Sequence, residues 1–471
     1  MIAATLASCV VGPDYRPPQP LPGAEGPLLS RAPNLESSAT AVDDWWKLYE
    51  DPLLDSLIEE AFAANTDLTA AQANLSAARA VLEASRAGRY PTTTVGAGAI
   101  YGHDPTTEEI LEIGGHAPQT VWLFDDILDA SYELDLFGHV RRSIEASKAD
   151  AQAAAAARDD LRVTVAAETA RAYAEICTLG EQLAVAHRSL DVVSRESRIT
   201  TDRHEAGGNS SFDVVRAEGL VSQVHAGIPS LEGRRRAALF QLADLLGRTP
   251  SRAPADALAC VTPPRPKGLI PIGDGTALLK RRPDVREAER RLASATARIG
   301  VATADLYPRI KLEAFYGGAT TSLSQLTTEG GLIWGAGPAV SWAFPIQAGP
   351  RARVRQAKAN ASSALANFDS VVLKALKETE QALTKYNSDL AQHDLLVEAD
   401  HKADQAFTFA HDQFLAGSIS TLELLTTERT LVDADASTAA SDATLADDQI
   451  LVFKTLGGGW RNSTSGIQKD R

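Results

Sequence analysis

Apolar and polar side chains alternate strictly along the segment Ser131-Tyr-Glu-Leu-Asp-Leu136. In an extended strand, Tyr132 and Leu134 lie on one face, and Glu133 and Asp135 lie on the other. This period of two predicts a β-strand with one apolar face. Alternation alone leaves two readings open: a half-buried strand in a soluble sheet, and a strand that crosses a membrane.

Two other segments repeat this pattern, and together with a fourth predicted strand they give two strand pairs. Ile310–Ala314 alternates in the same way, and the following segment places a second apolar set on one face. That set is Trp334, Ala336, Val340, Trp342 and Phe344. The expected pairs are about 91–102 with 119–137, and about 308–317 with 332–345.

Three features of these strands favour a membrane location. Their lengths match the 9–11 residues that a strand needs to cross lipid. The intervening loops, 103–118 and 318–331, are polar and rich in Gly and Thr. Aromatic side chains lie at strand ends or on apolar faces, as they do in the aromatic girdles of membrane barrels. The predicted girdle residues are Trp122, Tyr132, Trp334 and Trp342.

The number of strands predicts an oligomer if the strands cross the membrane. Open strand edges cannot stay in lipid, so the sheet has to close. One chain offers four strands, and bacterial barrels begin at eight. Two chains would give a filled eight-stranded barrel, and three would give twelve strands with room for a lumen. A pore therefore favours a trimer. The sequence has no run of 18 apolar residues, so we expect no transmembrane helix.

Two very long helices follow each strand pair. The span from Val140 to about Thr201 contains no proline, and about 60 helical residues extend on the order of 90 Å, too long for a compact domain. From Val214 to Leu245 the apolar spacing alternates between three and four residues, as in a coiled-coil seam. Arg235 interrupts this seam, and Pro229 predicts a kink or a break. The expected helices are 139–204, 210–247, 350–415 and 419–457.

The chain carries an internal duplication. Asn65-Thr-Asp-Leu68 leads through an Ala-rich helix to Tyr90-Pro91, and Arg282-Pro-Asp-Val285 leads in the same way to Tyr307-Pro308. Each copy has an Ala-rich helix (about 53–88 and 276–306), a strand pair and a long helical hairpin. The predicted division of the chain is 1–9 (residual signal peptide with a lipobox), 10–44 (extended segment), 45–248 (first repeat), 249–275 (linker), 276–460 (second repeat) and 461–471 (tail).

Composition excludes several classes of protein. The 471 residues carry a net charge of −15 at pH 7, which argues against binding to a phosphate backbone. Three cysteines supply neither a disulfide scaffold nor a cysteine-rich zinc site. Cys177 lies within a predicted helix and Cys260 in the linker, and nothing in the sequence indicates that they pair. We expect no metal and no cofactor.

The N-terminus predicts covalent lipid. Leu6-Ala-Ser-Cys9 has the form of a lipobox, in which the cysteine is acylated. The alternative is a chance cysteine after a short apolar start. The apolar stretch is shorter than a usual signal core and no Lys or Arg precedes it, so the start of the sequence is open to misassignment.

Several motifs together resemble the TolC/OprM-type outer-membrane efflux lipoproteins, from Cys9 to Trp460. No single motif is specific, but the combination is. The motifs are Val11-Gly-Pro-Asp-Tyr15, Trp45-Trp46, Asp51-Pro-Leu-Leu54, Leu242–Pro250, Leu279-Lys-Arg-Arg-Pro-Asp-Val285, Ala288–Leu292 and Tyr307-Pro308.

This resemblance implies an α+β membrane protein with an internal two-fold repeat. It implies a homotrimer with a shared twelve-stranded transmembrane β-barrel, four strands from each chain, that continues into a long periplasmic α-helical barrel. It also implies a lipid-anchored location in the outer membrane, a periplasmic adaptor (membrane fusion) protein, and an inner-membrane pump of the RND class. The chain would be a passive exit duct, not an enzyme.

The resemblance also assigns positions at the hairpin ends. Acidic residues after the second hairpin turn ring the periplasmic aperture in the family, and the matching positions are Glu423 and Thr426, where Thr426 replaces a frequent Asp. The internal repeat makes Asp213 the counterpart of Glu423. Three copies of an acid around one axis attract cations, so we expect Asp213 and Glu423 to shape cation preference at the constriction. The alternative is that both are solvated residues at the ends of the hairpins. The hairpin tips expected to dock the adaptor are Gly207, Gly208, Gly417 and Ser418.

Other functions remain as alternatives. An enzyme is poorly supported, because the sequence has no phosphate-binding glycine loop after a strand and no nucleophile elbow. Two further alternatives are a periplasmic coiled-coil lipoprotein without membrane strands and the outer-membrane duct of a type I protein secretion system. The transported substrate does not follow from the sequence.

Overall fold

The computed structural model describes residues 10–30, 34–36, 42–102 and 120–460. Cys9, the predicted lipid site, lies outside these ranges. The helices are α1 (Pro52–Ala64), α2 (Thr66–Ala87), α3 (His139–Glu205), α4 (Ser211–Leu245), α5 (Gly275–Arg281), α6 (Pro283–Ala304), α7 (Ala348–Leu415) and α8 (Thr421–Thr455). The strands are β1 (Leu35–Glu36), β2 (Thr92–Gly102), β3 (Val121–Leu134), β4 (Ile270–Pro271), β5 (Arg309–Thr320) and β6 (Leu332–Ser341).

The single Ala-rich helix expected in each copy is two helices, because one residue between them leaves the helical conformation. Asn65 is extended, and its side chain accepts hydrogen bonds from the backbone N–H groups of Asp67 and Leu68, which starts α2. Arg282 is extended because Pro283 follows it, and a residue before proline disfavours the α conformation. The prediction of one continuous helix is therefore wrong in both copies.

The two long helical hairpins are present as predicted. α3 and α7 contain 67 and 68 residues, and α4 and α8 contain 35 each. Pro229 does not end α4, which continues to Leu245, so the predicted break does not occur. None of the helices in the described ranges contains a stretch long and apolar enough to cross a membrane.

Four strands form one antiparallel sheet in the order β2-β3-β5-β6, and β1 pairs with β4 in a separate parallel pair. β2 and β6 are the edges of the larger sheet. The last strand ends earlier than predicted, at Ser341, so Trp342 and Phe344 follow it. Trp342 instead donates from its indole Nε1 to the carbonyl oxygen of Leu306, at 3.1 Å.

The described residues form two compact units, and each unit draws on both copies of the repeat. The first takes its residues from 1–18, 75–154 and 288–368, and it contains the four-stranded sheet. The second takes its residues from 19–74, 155–287 and 369–471. Its core includes Trp45, which is fully buried and stacks on Phe453 with 4.8 Å between ring centroids.

Arg235, which interrupts the coiled-coil seam, connects the linker to α3 within the second unit. Its guanidinium donates to three carbonyl oxygens, those of Ile176 (3.1 Å), Leu258 (2.8 Å) and Cys260 (2.6 Å). Cys260 also forms a disulfide with Cys177 of α3. Nothing in the sequence indicated that these two cysteines pair, and the structure shows that they do. The hydrogen bonds of Arg235 and the Cys177–Cys260 disulfide therefore hold the same part of the linker in place.

Candidate functional site: hairpin tips and sheet faces

The two hairpin turns have the same backbone geometry. In the α3–α4 turn, the N–H of Gly207 donates to His204 O and the N–H of Gly208 to Arg203 O. In the α7–α8 turn, Gly417 donates to Phe414 O and Ser418 to Gln413 O. This pair of bonds is the Schellman motif, which requires a left-handed residue after the helix, and Gly207 and Gly417 have φ values of 81° and 73°. The four predicted tip residues therefore occupy equivalent turn positions.

Asp213 and Glu423 occupy equivalent positions in the first turns of α4 and α8, but their carboxylates are used differently. The Asp213 carboxylate accepts from both the N–H (3.1 Å) and the hydroxyl (2.7 Å) of Ser210, which completes a capping box. The N–H of Glu423 donates to Ser420 Oγ, but the Glu423 carboxylate is exposed and has no partner among the described residues. Of the two carboxylates, only that of Glu423 has no hydrogen-bond partner within the described ranges.

Thr426 contributes no charge and directs its hydroxyl to its own helix. Its Oγ1 donates to the carbonyl oxygen of Leu422 at 2.7 Å, although the side chain is exposed. Such bonding is common for threonine within helices. Within each chain, the aperture positions predicted by resemblance therefore present one free carboxylate.

Arg203 links the tip of the first hairpin to that of the second. Its guanidinium donates to Phe414 O at 2.9 Å and lies 3.9 Å from the centroid of the Phe414 ring. Phe414 is buried. A cation–π contact and a charge-assisted hydrogen bond therefore join the last turns of α3 and α7. Sequence reasoning missed this contact, since it joins residues from different copies.

Two buried acids lie close to these tips. Glu428 of α8 is 0% exposed, and neither of its carboxyl oxygens has a hydrogen-bond partner within the described ranges. Glu196 of α3 is 2% exposed, and its Oε1 lies 3.1 Å from His411 Nδ1 on α7. Burial and, to a smaller extent, the negative charge of Glu196 together raise the pKa of Glu428 to about 8. Glu428 is therefore protonated at neutral pH.

The spacing of buried residues along α3 and α8 could have identified these two acids from the sequence. Ser189, Val193, Glu196 and Thr200 are buried on α3 at steps of four, three and four residues. Thr421, Leu424 and Glu428 follow the same spacing on α8. Both acids therefore occupy seam positions, where a sequence search for charged residues at heptad core sites could have found them.

The register of the four-stranded sheet separates its side chains into two chemically distinct faces. One row crosses all four strands through Val95, Leu128, Tyr316 and Trp334, each of which is 45% or more exposed. The opposite face carries most of the sheet's charged side chains, together with Gly, Ala and several larger apolar residues. The larger apolar residues include Ile100, Leu123, Ile127, Phe315 and Ile333. Those charged residues are Asp125, Asp129, Glu133, Arg309, Lys311 and Glu313.

The predicted aromatic residues all lie on or next to the apolar face. Trp122 and Trp334 lie near the ends of β3 and β6 that adjoin the loops. Tyr132 lies towards the other end of β3, and Trp342 follows the corresponding end of β6. Tyr101, which sequence reasoning missed, packs against Trp122 with 5.2 Å between ring centroids. The one acid on this face, Asp126, accepts a hydrogen bond from Gly318 N at 2.7 Å.

The segment after Cys9 docks onto the sheet-bearing unit. Val11 N donates to Phe137 O, and the guanidinium of Arg142 donates to Val11 O, Gly12 O and Asp14 Oδ1. Gly12 lies so close to Gly300 that an added Cβ would be 2.4 Å from the Gly300 Cα. Within the described part of the chain, no three His, Cys, Asp or Glu side chains are grouped to hold a metal ion.

Comparisons with known proteins cover nearly the whole chain. The model of a family described as outer membrane efflux protein matches residues 57–248 and 276–458. Nodulation protein T of Rhizobium leguminosarum bv. viciae is 30% identical over 460 residues, 97% of this chain and 92% of that protein. The probable outer membrane lipoprotein SilC of Salmonella typhimurium is 27% identical over 473 residues, 97% and 96% of the two chains. The solved structure of the outer-membrane channel OprN is 34% identical with a TM-score of 0.89, covering 96% of this chain and 100% of that one.

Proposed function

Because this chain belongs to the outer membrane efflux protein family, we propose that it is the outer-membrane exit duct of a tripartite efflux pump. Members of the family are outer-membrane components of multi-component efflux systems. In this role the chain passively conducts substrates that an inner-membrane transporter exports. The comparisons favour neither a coiled-coil structural lipoprotein nor a type I secretion duct.

The apolar face of the sheet is the observation that carries this proposal. Large side chains such as Val95, Tyr316 and Trp334 are 60% or more exposed in the single chain. A contiguous apolar surface of this kind is unfavourable in water and indicates contact with lipid or protein. The polar face opposite it suits a water-filled lumen.

The edges of the sheet support a trimer. Among the strands in the described ranges, β2 and β6 each have one side without a partner, and such edges cannot remain open in lipid. We propose that β6 of one chain pairs with β2 of the next. Three chains then close a twelve-stranded barrel that is wide enough for a lumen. Trp122, Tyr132, Trp334 and Trp342 would form its aromatic girdles.

The helical hairpins supply the periplasmic part of the proposed duct. Three copies of α3, α4, α7 and α8 would form an α-helical barrel, with Asp213, Glu423 and Thr426 near its aperture. Gly207, Gly208, Gly417 and Ser418 would contact a periplasmic adaptor protein, which connects the duct to an inner-membrane pump of the RND class. The proposal includes no catalytic step, because the family is one of channels.

Lipid attachment to Cys9 is the remaining part of the proposal. SilC is named a probable outer membrane lipoprotein, and the lipobox of this chain is consistent with that chemistry. Arg142 holds Val11 and Gly12 against the unit that contains the sheet. An acyl chain on Cys9 would therefore enter the membrane beside the proposed barrel.

The test is the native mass of a Cys9→Ser variant extracted from membranes. We expect a trimer that still requires detergent, because the strands rather than the acyl chain hold it in lipid. The wild-type protein is the matched control. A monomer that is soluble without detergent would contradict the proposal and support the coiled-coil lipoprotein.

A further inference from the structure

Glu428 is the buried group that neither fold nor proposed function accounts for. It lies two turns into α8, among fully buried neighbours such as Leu424. A buried carboxyl without hydrogen bonds is costly, and it is far more costly when charged. Because the burial is complete within one chain, assembly with other copies cannot expose it.

α8 packs against α3, where Gln182 of α3 donates to the carbonyl oxygen of Ala439 at 3.4 Å. Glu196 of α3 is a second acid close enough to act on Glu428. Glu196 is nearly as buried as Glu428, and its Oε2 also has no partner among the described residues. Its Oε1 lies beside His411 of α7. Two carboxyls in one apolar site cannot both ionise without strong repulsion. Three helices thus meet at a site that holds at least one proton at neutral pH.

The other charged groups that act on this site favour ionisation of Glu196 rather than Glu428. Burial raises the pKa of Glu196, but His411 of α7 and Arg195 and Arg203 of α3 offset part of this rise. For Glu428, the charged group that acts through space is Glu196 itself. The first proton therefore leaves Glu196, and the proton on Glu428 is the last to leave.

We propose that the proton on Glu428 is a latch that keeps α8 packed against α3 near the aperture, so that its loss separates the α7–α8 hairpin from α3 and opens the duct. The inference rests on the proposed function, since it assigns regulation to the aperture of that duct. Loss of the proton leaves two buried like charges on facing helices. The two helices relieve this repulsion by admitting water between them or by moving apart.

The experiment is ion conductance of the full-length purified protein in planar lipid bilayers between pH 6 and pH 9.5. We expect the wild-type conductance to rise as the pH passes through about 8. A Glu428→Gln channel should keep the low conductance over the whole range, because the amide has the shape of the protonated acid and cannot ionise. Glu196→Gln should shift the rise to lower pH by about one unit, because it removes the repelling charge.

Asp433→Asn is the matched control, since it removes an exposed acid of α8 that lies outside the proposed aperture positions. It should keep the rise with pH. If Glu428→Gln does not assemble, the shift in Glu196→Gln decides the question alone. An unchanged rise in Glu428→Gln, or an unshifted rise in Glu196→Gln, overturns the latch and leaves the duct intact. Failure of the wild-type protein to form channels overturns the proposed function itself.

Discussion

Arg203 lies over the ring of Phe414, with 3.9 Å between the guanidinium carbon and the ring centroid, and donates to the Phe414 carbonyl oxygen at 2.9 Å. The contact joins the last turn of α3 to that of α7, each just before its hairpin turn. It therefore holds the two hairpins of one chain together at the end where the aperture is proposed.

Arg203→Ala should loosen this end of the hairpins and raise channel conductance several-fold at pH 7. The reason is that the variant removes both the cation–π contact and the hydrogen bond between the hairpins. Arg198→Ala is the matched control, because Arg198 is an exposed arginine on the same helix. Equal conductance of the two variants in bilayers would show that the contact does not restrain the aperture.

Arg235→Leu should destabilise the protein even though it restores the apolar seam. The substitution leaves the carbonyl oxygens of Ile176, Leu258 and Cys260 without their donor, at a cost of about 1–3 kcal/mol for each that stays buried. The measurement is the unfolding midpoint in detergent, with Arg236→Leu, at an exposed neighbour, as the control. A higher midpoint for Arg235→Leu would mean that apolar packing in the seam stabilises the protein more than the hydrogen bonds of Arg235 do.

Reduction of the Cys177–Cys260 disulfide should also destabilise the unit that contains it. The bond joins residues 83 positions apart, and a cross-link over such a loop stabilises a protein by about 2–4 kcal/mol. A thiol reductant should lower the unfolding midpoint of the wild-type protein and leave that of a Cys177→Ala, Cys260→Ala double variant unchanged. Equal responses of the two proteins would contradict the disulfide's contribution.

The periodic features of this chain are predictable from sequence, because they follow from geometry. Period two assigns Tyr132 and Trp334 to the apolar sheet face, and glycine after a helix predicts the turns at Gly207 and Gly417. The Cys177–Cys260 pair was not predictable, because sequence does not give the distance between two Cα atoms. The burial of Glu428 was missed for a related reason. Seam spacing indicates which side of a helix is buried but not whether a charged residue is tolerated there.

Asp160 should make the protein less stable as the pH rises from about 4 to above 6. Burial and, to a smaller extent, the negative charge of Asp284 together raise its pKa from 3.8 to about 6. The folded state then binds a proton more tightly than the unfolded chain. This favourable contribution is complete below the unfolded pKa and is lost as the pH rises through about 6.

Asp160→Asn should remove this part of the pH dependence, because the amide cannot ionise. The unfolding midpoint of the variant relative to wild type should therefore be higher at pH 8 than at pH 4. Asp394→Asn, at an exposed position of α7, is the control and should follow the wild-type curve. Parallel curves for wild type and Asp160→Asn would contradict the assignment.

Glu423 and Asp213 should differ in function although the repeat makes them equivalent. The Asp213 carboxylate is committed to the capping box with Ser210, whereas the Glu423 carboxylate is free. In a trimer, Glu423 would place three uncompensated charges around one axis, which favours cations. Glu423→Gln should therefore lower the cation preference measured from reversal potentials in a salt gradient.

Asp213→Asn should keep most of that preference and instead weaken the start of α4. Loss of a capping contact costs about 1 kcal/mol, so hydrogen exchange of the first turn of α4 should become faster. Each variant is the control for the other, since both replace one acid at the third position of a helix. Equal loss of cation preference in the two variants would show that position near the tip, rather than a free carboxylate, determines selectivity.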